Sequence, residues 1–272
     1  MGVLSPRPLD EAETQETLAQ VNAAIAKGCA LKATDAARLA VWERGWAEIR
    51  EALPHTGPTL HALRPQYFSH DQPIRLAGRY WTATEEYWLG VSIRRALMAG
   101  YLEGASRIVE LGCGTGVNLL IARDLFPHAR LIGADWAAPA REIVATIPGV
   151  EAAPCNLITG EGLSDLPMRG GDVLTVHALE QTGEHGPAII DALVARRPRR
   201  VLHIEPVVEF YGDSAFDDAA RRYHHMRGYV VGLPAALARH EQTGRIRIVG
   251  QGRSHLGNLY HEAYSYLAWE SG

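Results

Sequence analysis

The chain has 272 residues, 47% of them apolar, and a formal net charge of −4 at pH 7. That length suits one large domain or two small ones, and the apolar content is too high for a disordered chain. The mild acidity leaves no general basic field for nucleic acid, although only two of the 27 basic residues, Lys27 and Lys32, are lysines.

Residues 1–16 are polar and acidic, without the apolar core of a signal peptide. No run of about 18 apolar residues occurs anywhere to span a membrane. Residues 9–53 carry two helical periods, Leu18, Val21, Ala24 and Ile25, then Leu39, Trp42, Trp46 and Ile49. Pro54, Gly57 and Pro58 mark the end of the second helix. Residues 55–80 show no period and carry Pro58, Pro65 and Pro73, which predicts a long loop. Thr82 and Glu85 have capping-box spacing for a helix reaching about Tyr101. From Arg107 the texture changes. A strand at 108–111, a glycine turn at 112–116 and a helix at 117–126 lead to a strand at 130–134 and a helix at about 139–146. Strands at 150–153 and 172–177, a helix at 187–197 and a strand at 200–204 follow. This alternation predicts βαβ units, hence a parallel sheet with right-handed crossovers. Residues 206–243 read as a helical insertion, and 244–250 with 259–267 as a closing pair of strands.

The glycine turn carries the chemistry. In Val109-Glu110-Leu111-Gly112-Cys113-Gly114-Thr115-Gly116 the glycines let a ligand approach the main chain at the carboxyl end of the first core strand. Asp135, at the end of the next strand, can accept both hydroxyls of a ribose. The spacing is GxGxG rather than GxGxxG, and Glu110 would repel a pyrophosphate, which disfavours a nicotinamide oxidoreductase. An acid there suits a ligand with an ammonium and a sulfonium. This stretch resembles motif I of the class I S-adenosylmethionine (SAM) methyltransferases, and Leu131-Ile132-Gly133-Ala134-Asp135-Trp136 resembles their second motif. The resemblance covers about residues 105–205. It implies an α/β, Rossmann-like fold with a seven-stranded, mostly parallel sheet, helices on both faces, and SAM as cofactor. It assigns Glu110, Gly112, Gly114 and Gly116 to the cofactor cradle, Asp135 to the ribose and Trp136 to the adenine face. Asn156 stands where the family carries an aspartate and would accept from the adenine amino group through its amide oxygen. Residues 1–104 would be a helical cap, and 105–272 the SAM-binding core.

In that family the loop after the fourth strand faces the transferred methyl. Here it is Thr175-Val176-His177-Ala178-Leu179-Glu180-Gln181-Thr182. It lacks the Asn/Asp-Pro-Pro-aromatic signature used on nucleic-acid bases and amide nitrogens, so the expected acceptor is a small molecule rather than a nucleic acid. His177 is placed beside the cofactor as a general base, and Glu180 joins it as a catalytic candidate. Glu180 and Glu205, both at the carboxyl edge of the sheet, favour a cationic or hydrogen-bond-donating acceptor. Aromatic residues with carboxylates can cage an amine. Tyr80, Trp81, Tyr211 and Tyr223 are the aromatic candidates for acceptor contact; Tyr229 belongs to the Tyr223 cluster, and Tyr260, His261 and Tyr264 form a further one. Trp42 and Trp88 read as core. Twelve histidines without HExxH or HxH spacing, and three cysteines (Cys29, Cys113, Cys155) without CxxC, give no metal site and no disulfide framework.

The expectation is therefore a cytoplasmic, SAM-dependent methyltransferase of specialised metabolism, with a nitrogen or aromatic carbon acceptor favoured over oxygen. Transfer of an aminopropyl or aminocarboxypropyl group, and a non-catalytic SAM- or nucleotide-binding role, are the other readings. The N-terminal helices would serve as a lid over the pocket or as a homodimer interface.

Overall fold

The computed structural model describes residues 6–28, 31–69, 72–82 and 85–272, so Cys29 lies outside the described residues. The chain begins with helices α1 (Glu11–Lys27) and α2 (Ala36–Thr56). Asp10 and Glu13 form a reciprocal capping box on α1. Helix α2 runs through Pro54 and stops at Gly57, whose φ is 68°, so the glycine rather than the proline ends it.

The stretch predicted as loop contains a 3₁₀ turn at Gln66–Ser69 and a hairpin of β1 (Ile74–Leu76) and β2 (Arg79–Trp81). Ala77 and Gly78 turn it with φ of 52° and 78°, the positive values a two-residue hairpin loop requires. Helix α3 (Glu86–Tyr101) starts three residues later than the Thr82 signal implied. The Thr82 Oγ1 instead accepts the Arg7 N–H at 3.2 Å, so no capping box forms there.

The remaining elements follow the predicted alternation. They are β3 (Arg107–Leu111), α4 (Val117–Leu125), β4 (Arg130–Asp135), α5 (Ala138–Ala145), β5 (Val150–Pro154) and β6 (Asp172–Val176). A 3₁₀ segment at Leu179–His185 leads to α6 (Gly186–Ala195) and β7 (Arg200–Glu205). The predicted insertion is α7 (Ala215–Arg227) and α8 (Leu233–Gln242), followed by β8 (Ile246–Gly252), the two-residue β9 (Leu256–Gly257) and β10 (Ser265–Ser271).

Seven strands form one sheet in the order β5-β4-β3-β6-β7-β10-β8. Only β10 runs antiparallel to its neighbours, β7 and β8. Apolar side chains are buried on both faces, as a parallel sheet covered by helices demands. One core joins Met98 of α3, Leu119 of α4 and Ile143 of α5 to Leu174 and Ile204 of the sheet. The other joins Ile190 and Leu193 of α6 and Leu237 of α8 to Val109, Val173 and Trp269. A second, three-stranded sheet pairs β1 with both β2 and β9. From β3 the chain winds outward through β4 and β5, then returns to β6 on the other side. The carboxyl ends of β3 and β6 therefore flank a topological switch point, where open α/β sheets bind ligands. Among the described residues no helix is long and apolar enough to cross a membrane.

Candidate active site

A cavity of about 500 Å³ opens at this switch point. Its floor is the turn Gly112 to Thr115 with Asp135, Trp136 and Asn156, and His177 and Glu180 stand beside it. Trp42 and Trp46 of α2, with Tyr67 and Phe68, cover it from the N-terminal side, and Tyr223, Tyr229, Tyr260, His261 and Tyr264 wall the far end.

The turn is open where glycine occupies two of its four positions. Gly112 and Gly114 have φ of 69° and 50°. A Cβ at Gly112 would lie 2.5 Å from the Ala178 Cβ, and one at Gly114 would lie 3.2 Å from the Trp46 ring. Gly116 differs from the sequence assignment. It is not part of the cavity wall, and a Cβ there would meet Ile147 Cδ1 at 2.7 Å. Its left-handed conformation starts α4 and lets that helix approach α5.

Asp135 is 4% exposed. Its Oδ2 accepts the Gly114 N–H at 2.9 Å and its Oδ1 the Ala137 N–H at 2.9 Å. Burial raises its pKa, with those amides pulling the other way. An ionised carboxylate has about four acceptor sites, so two remain for a ligand. Asn156 is in the opposite state. Its Oδ1 takes the Ile158 and Thr159 N–H groups at 2.9 and 3.2 Å, which uses both acceptor positions on the local turn. The polar group it can still offer the cavity is its NH₂ donor, not the carbonyl that the sequence reading used.

Glu110 also sits elsewhere than expected. It is fully buried beneath the turn and its Oε1 accepts from Asn118 Nδ2 at 2.6 Å. The Asn118 Oδ1 accepts from Arg94 Nη1 at 2.8 Å, and Arg94 Nε donates to the Gly90 carbonyl at 3.0 Å. Arg94 reaches the cavity and its Nη2 is buried without a partner. Burial pushes Glu110 up to about 8, against the Asn118 hydrogen bond and the Arg94 charge. Glu110 thus acts through Asn118 on a cation that sequence reasoning missed, because Arg94 lies in a helix with no local motif.

His177 directly follows β6 with φ of 54°, a rare conformation for a residue with a side chain. Its Nδ1 lies 3.5 Å from Glu180 Oε2, its Nε2 is buried without a partner, and its ring stands edge-on to Tyr264 at 5.0 Å. Burial favours the protonated form of Glu180, but hydrogen bonding and charge from His177, with His261 and Gln181, outweigh it and leave its pKa lowered. Glu86, at the start of α3, also lines the cavity and is pushed up to about 7 by burial, against the charges of His177 and Arg94. Burial drives His261 down to about 3, so it is neutral at physiological pH.

Four of the residues assigned to the acceptor are outside the cavity wall. Glu205 accepts the backbone N–H groups of Ala178, Leu179 and Glu180 at 3.2, 3.1 and 3.2 Å. These three bonds engage its carboxyl group in holding the loop that carries His177. Tyr80 is fully buried against Phe216 and accepts from Arg75, and Tyr211 bonds the Glu262 backbone. Trp81 donates its indole N–H to the Leu76 carbonyl across its own hairpin. Tyr223 does reach the cavity, stacked on Tyr260 at 4.8 Å. The two tryptophans read as core are placed differently. Trp42 lines the cavity and Trp88 is 37% exposed. Among the described residues no group of three His, Cys, Asp or Glu side chains is placed to share a metal ion.

No family model matches the sequence, and neither does any curated protein. Solved structures match it in fold. One is the N-methyltransferase NodS from Bradyrhizobium japonicum WM9 bound to S-adenosylhomocysteine (SAH), with a TM-score of 0.51 at 11% identity over 84% of this chain and 98% of that one. A second is the plantazolicin methyltransferase BpumL with a pentazolic desmethylPZN analogue and SAH, with a TM-score of 0.49 at 10% identity over 88% and 100% of the two chains. The chain therefore has the Rossmann-like fold of the class I SAM-dependent methyltransferases.

Proposed function

We propose that the protein is a cytoplasmic SAM-dependent methyltransferase acting on a small molecule, with a nitrogen or aromatic carbon acceptor favoured over oxygen. One observation carries this reading: a glycine-rich turn and a buried acid fit for a ribose share a single cavity with an aromatic chamber holding His177 and Glu180. The residues fit the cofactor. Asp135 keeps free acceptor sites, Trp136 offers an apolar face, and the unpartnered Arg94 Nη2 suits the carboxylate of a methionine moiety. Bound there, SAM supplies an electrophilic methyl group on a sulfonium. The chain's own work is to align the acceptor and exclude water, with the Trp42–Trp46 pair as a cover. His177 Nε2 is free to take a proton from an acceptor N–H, while Glu180 holds Nδ1 and stabilises the imidazolium that forms. Cys113 and Cys155, both buried and free, suit a reducing compartment.

Calorimetry with SAM and NAD tests the cofactor: SAM binds and NAD does not. Binding of NAD with no response to SAM would overturn the proposal. Product mass then separates methyl transfer from transfer of a longer SAM-derived chain.

A further inference from the structure

The acceptor chamber contains a cation that methyl transfer does not use. Arg38 lies in the first turn of α2 and lines the cavity. Its guanidinium carbon sits 4.7 Å from the Trp42 ring centroid, so one face of the group is covered by the indole. Its Nε is buried without a hydrogen-bond partner, and among the described residues it forms no ion pair. Arg94, the other arginine of the cavity, is tied to Asn118 and Gly90 beside the glycine turn. Arg38 belongs to the opposite end. Its strongest charged and polar neighbours are Arg227, which repels it, then Tyr229, Tyr223 and Glu180. Burial, followed by the Arg227 charge, lowers its pKa. Arg227 itself rests over Tyr229 at 5.5 Å.

These features suit an anion with a flat body behind it. A guanidinium stacked on an indole presents its in-plane N–H edge, the geometry that grips a carboxylate with two parallel hydrogen bonds. The stack of Tyr223 on Tyr260, with planes 15° apart, makes a smooth wall for a planar ring. The His177–Glu180 pair lines the same chamber. Among the described residues Arg38 has no direct ion pair, and the attraction of Glu180, itself engaged by His177, does not offset burial and the Arg227 charge, so an acceptor carboxylate would supply the direct counter-charge. A single planar fork matches a carboxylate, which takes two parallel hydrogen bonds; a phosphate dianion would need more donors than it provides.

Resting on the methyltransferase reading, we propose that the acceptor is a planar aromatic or heteroaromatic acid whose carboxylate is held by Arg38, so that Arg38 determines specificity. The test titrates the SAH-loaded protein with matched acids and primary amides: benzoate and benzamide, indole-3-carboxylate and its amide, quinoline-2-carboxylate and its amide. In at least one pair the acid binds about tenfold tighter or more than the amide, as a charged bidentate contact should confer. Arg38→Gln erases that preference, Arg38→Lys recovers part of it, and both variants keep the wild-type SAH affinity, which also shows that they are folded. Equal binding of acids and amides, a preference that survives Arg38→Gln, or no binding by any of the acids overturns the proposal. SAH affinity reports separately on the cofactor. If SAH fails to bind while acids still bind through Arg38, the methyltransferase reading falls and the acid pocket stands.

Discussion

At the scale of single residues, the site is built from groups that are buried and only partly satisfied. His177 carries the sharpest consequence. Its Nε2 has no partner and its Nδ1 faces Glu180 at 3.5 Å, so its free nitrogen has nothing to do until an acceptor arrives. His177→Ala should lower kcat about a hundredfold or more while changing SAM affinity little. Steady-state rates beside calorimetry check this, and an unchanged rate across several pH values would reduce His177 to scaffolding. Glu110 makes a different prediction, about stability. Its ordinary value is 4.5 and burial holds it at about 8, so the folded protein keeps this proton to higher pH than the unfolded chain does. Between those values the folded state binds the extra proton, and stability must fall as pH rises through the window. Glu86 and Glu205, each raised to about 7, add to the same slope. Glu110→Gln removes one titrating group and keeps an acceptor for Asn118. Its melting temperature should decline less than wild type between about pH 5 and pH 9. Parallel curves for the two proteins would show that Glu110 is not the group titrating.

At the scale of elements, the βαβ alternation was legible almost to the residue, because each strand is a short apolar run and each helix has a clear apolar face. The misses have local causes. The β1–β2 hairpin has three-residue strands and an Ala77-Gly78 turn in place of the Asn-Gly or Asp-Gly signal, and its other partner, β9, lies far along the chain. Residues 258–264 alternate like a strand, yet Asn258 Oδ1 accepts the N–H groups of Tyr260 and His261 at 2.8 and 3.2 Å. That turn breaks the strand, delays β10 to Ser265, and places Tyr260, His261 and Tyr264 on the cavity wall. In the candidate site, Gly112, Gly114 and Asp135, read from the strand–turn–helix spacing, and Trp136 and His177, assigned through the family resemblance, all line the cavity, whereas Arg94 and Arg38 gave no signal, since a helical cation carries no motif. Periodicity also cannot tell a helix face that lines a cavity from one that packs in a core. Trp42 and Trp46 stack at 5.5 Å, and Trp42 meets Tyr67 edge-on at 5.7 Å, so α2 and the 3₁₀ turn form one cover. Hydrogen exchange should therefore show SAH-dependent protection across residues 36–56 and 66–69, with the β1–β2 hairpin unchanged. Protection confined to the glycine turn would mean that α2 does not close on the cofactor.

At the scale of the whole molecule, the question is whether residues 1–104 stand apart from the rest. Helix α1 packs on α7, α2 on α5 and α3 on α4, and β1 is hydrogen-bonded to β9. A buried charge network fastens the same boundary. Arg75, fully buried on β1, donates to the Phe216 carbonyl at 2.8 Å and lies 3.5 Å from Asp217. Arg253 donates to Asp217 Oδ2 at 2.8 Å and to Glu262 at 2.5 and 2.9 Å. Two cations and two anions thus balance, joining the N-terminal hairpin, α7 and the segment before β10. Tyr80 and Tyr211, expected at the acceptor, bond to Arg75 and to the Glu262 backbone, so both border this network. Removing one member leaves an uncompensated buried charge, at a cost of about 3–5 kcal/mol. Arg253→Met should lower the unfolding free energy from urea titration by that amount, and the midpoint in proportion. The course of unfolding matters as much as its midpoint. Trp42, Trp46, Trp81 and Trp88 precede residue 104, whereas Trp136 and Trp269 follow it, so fluorescence is weighted toward the N-terminal segment and circular dichroism reports the whole chain. With a shared core and a shared charge network the two signals should change together in wild type and shift together in Arg253→Met. A fluorescence transition that precedes the loss of helix would instead make residues 1–104 an independently folding cap.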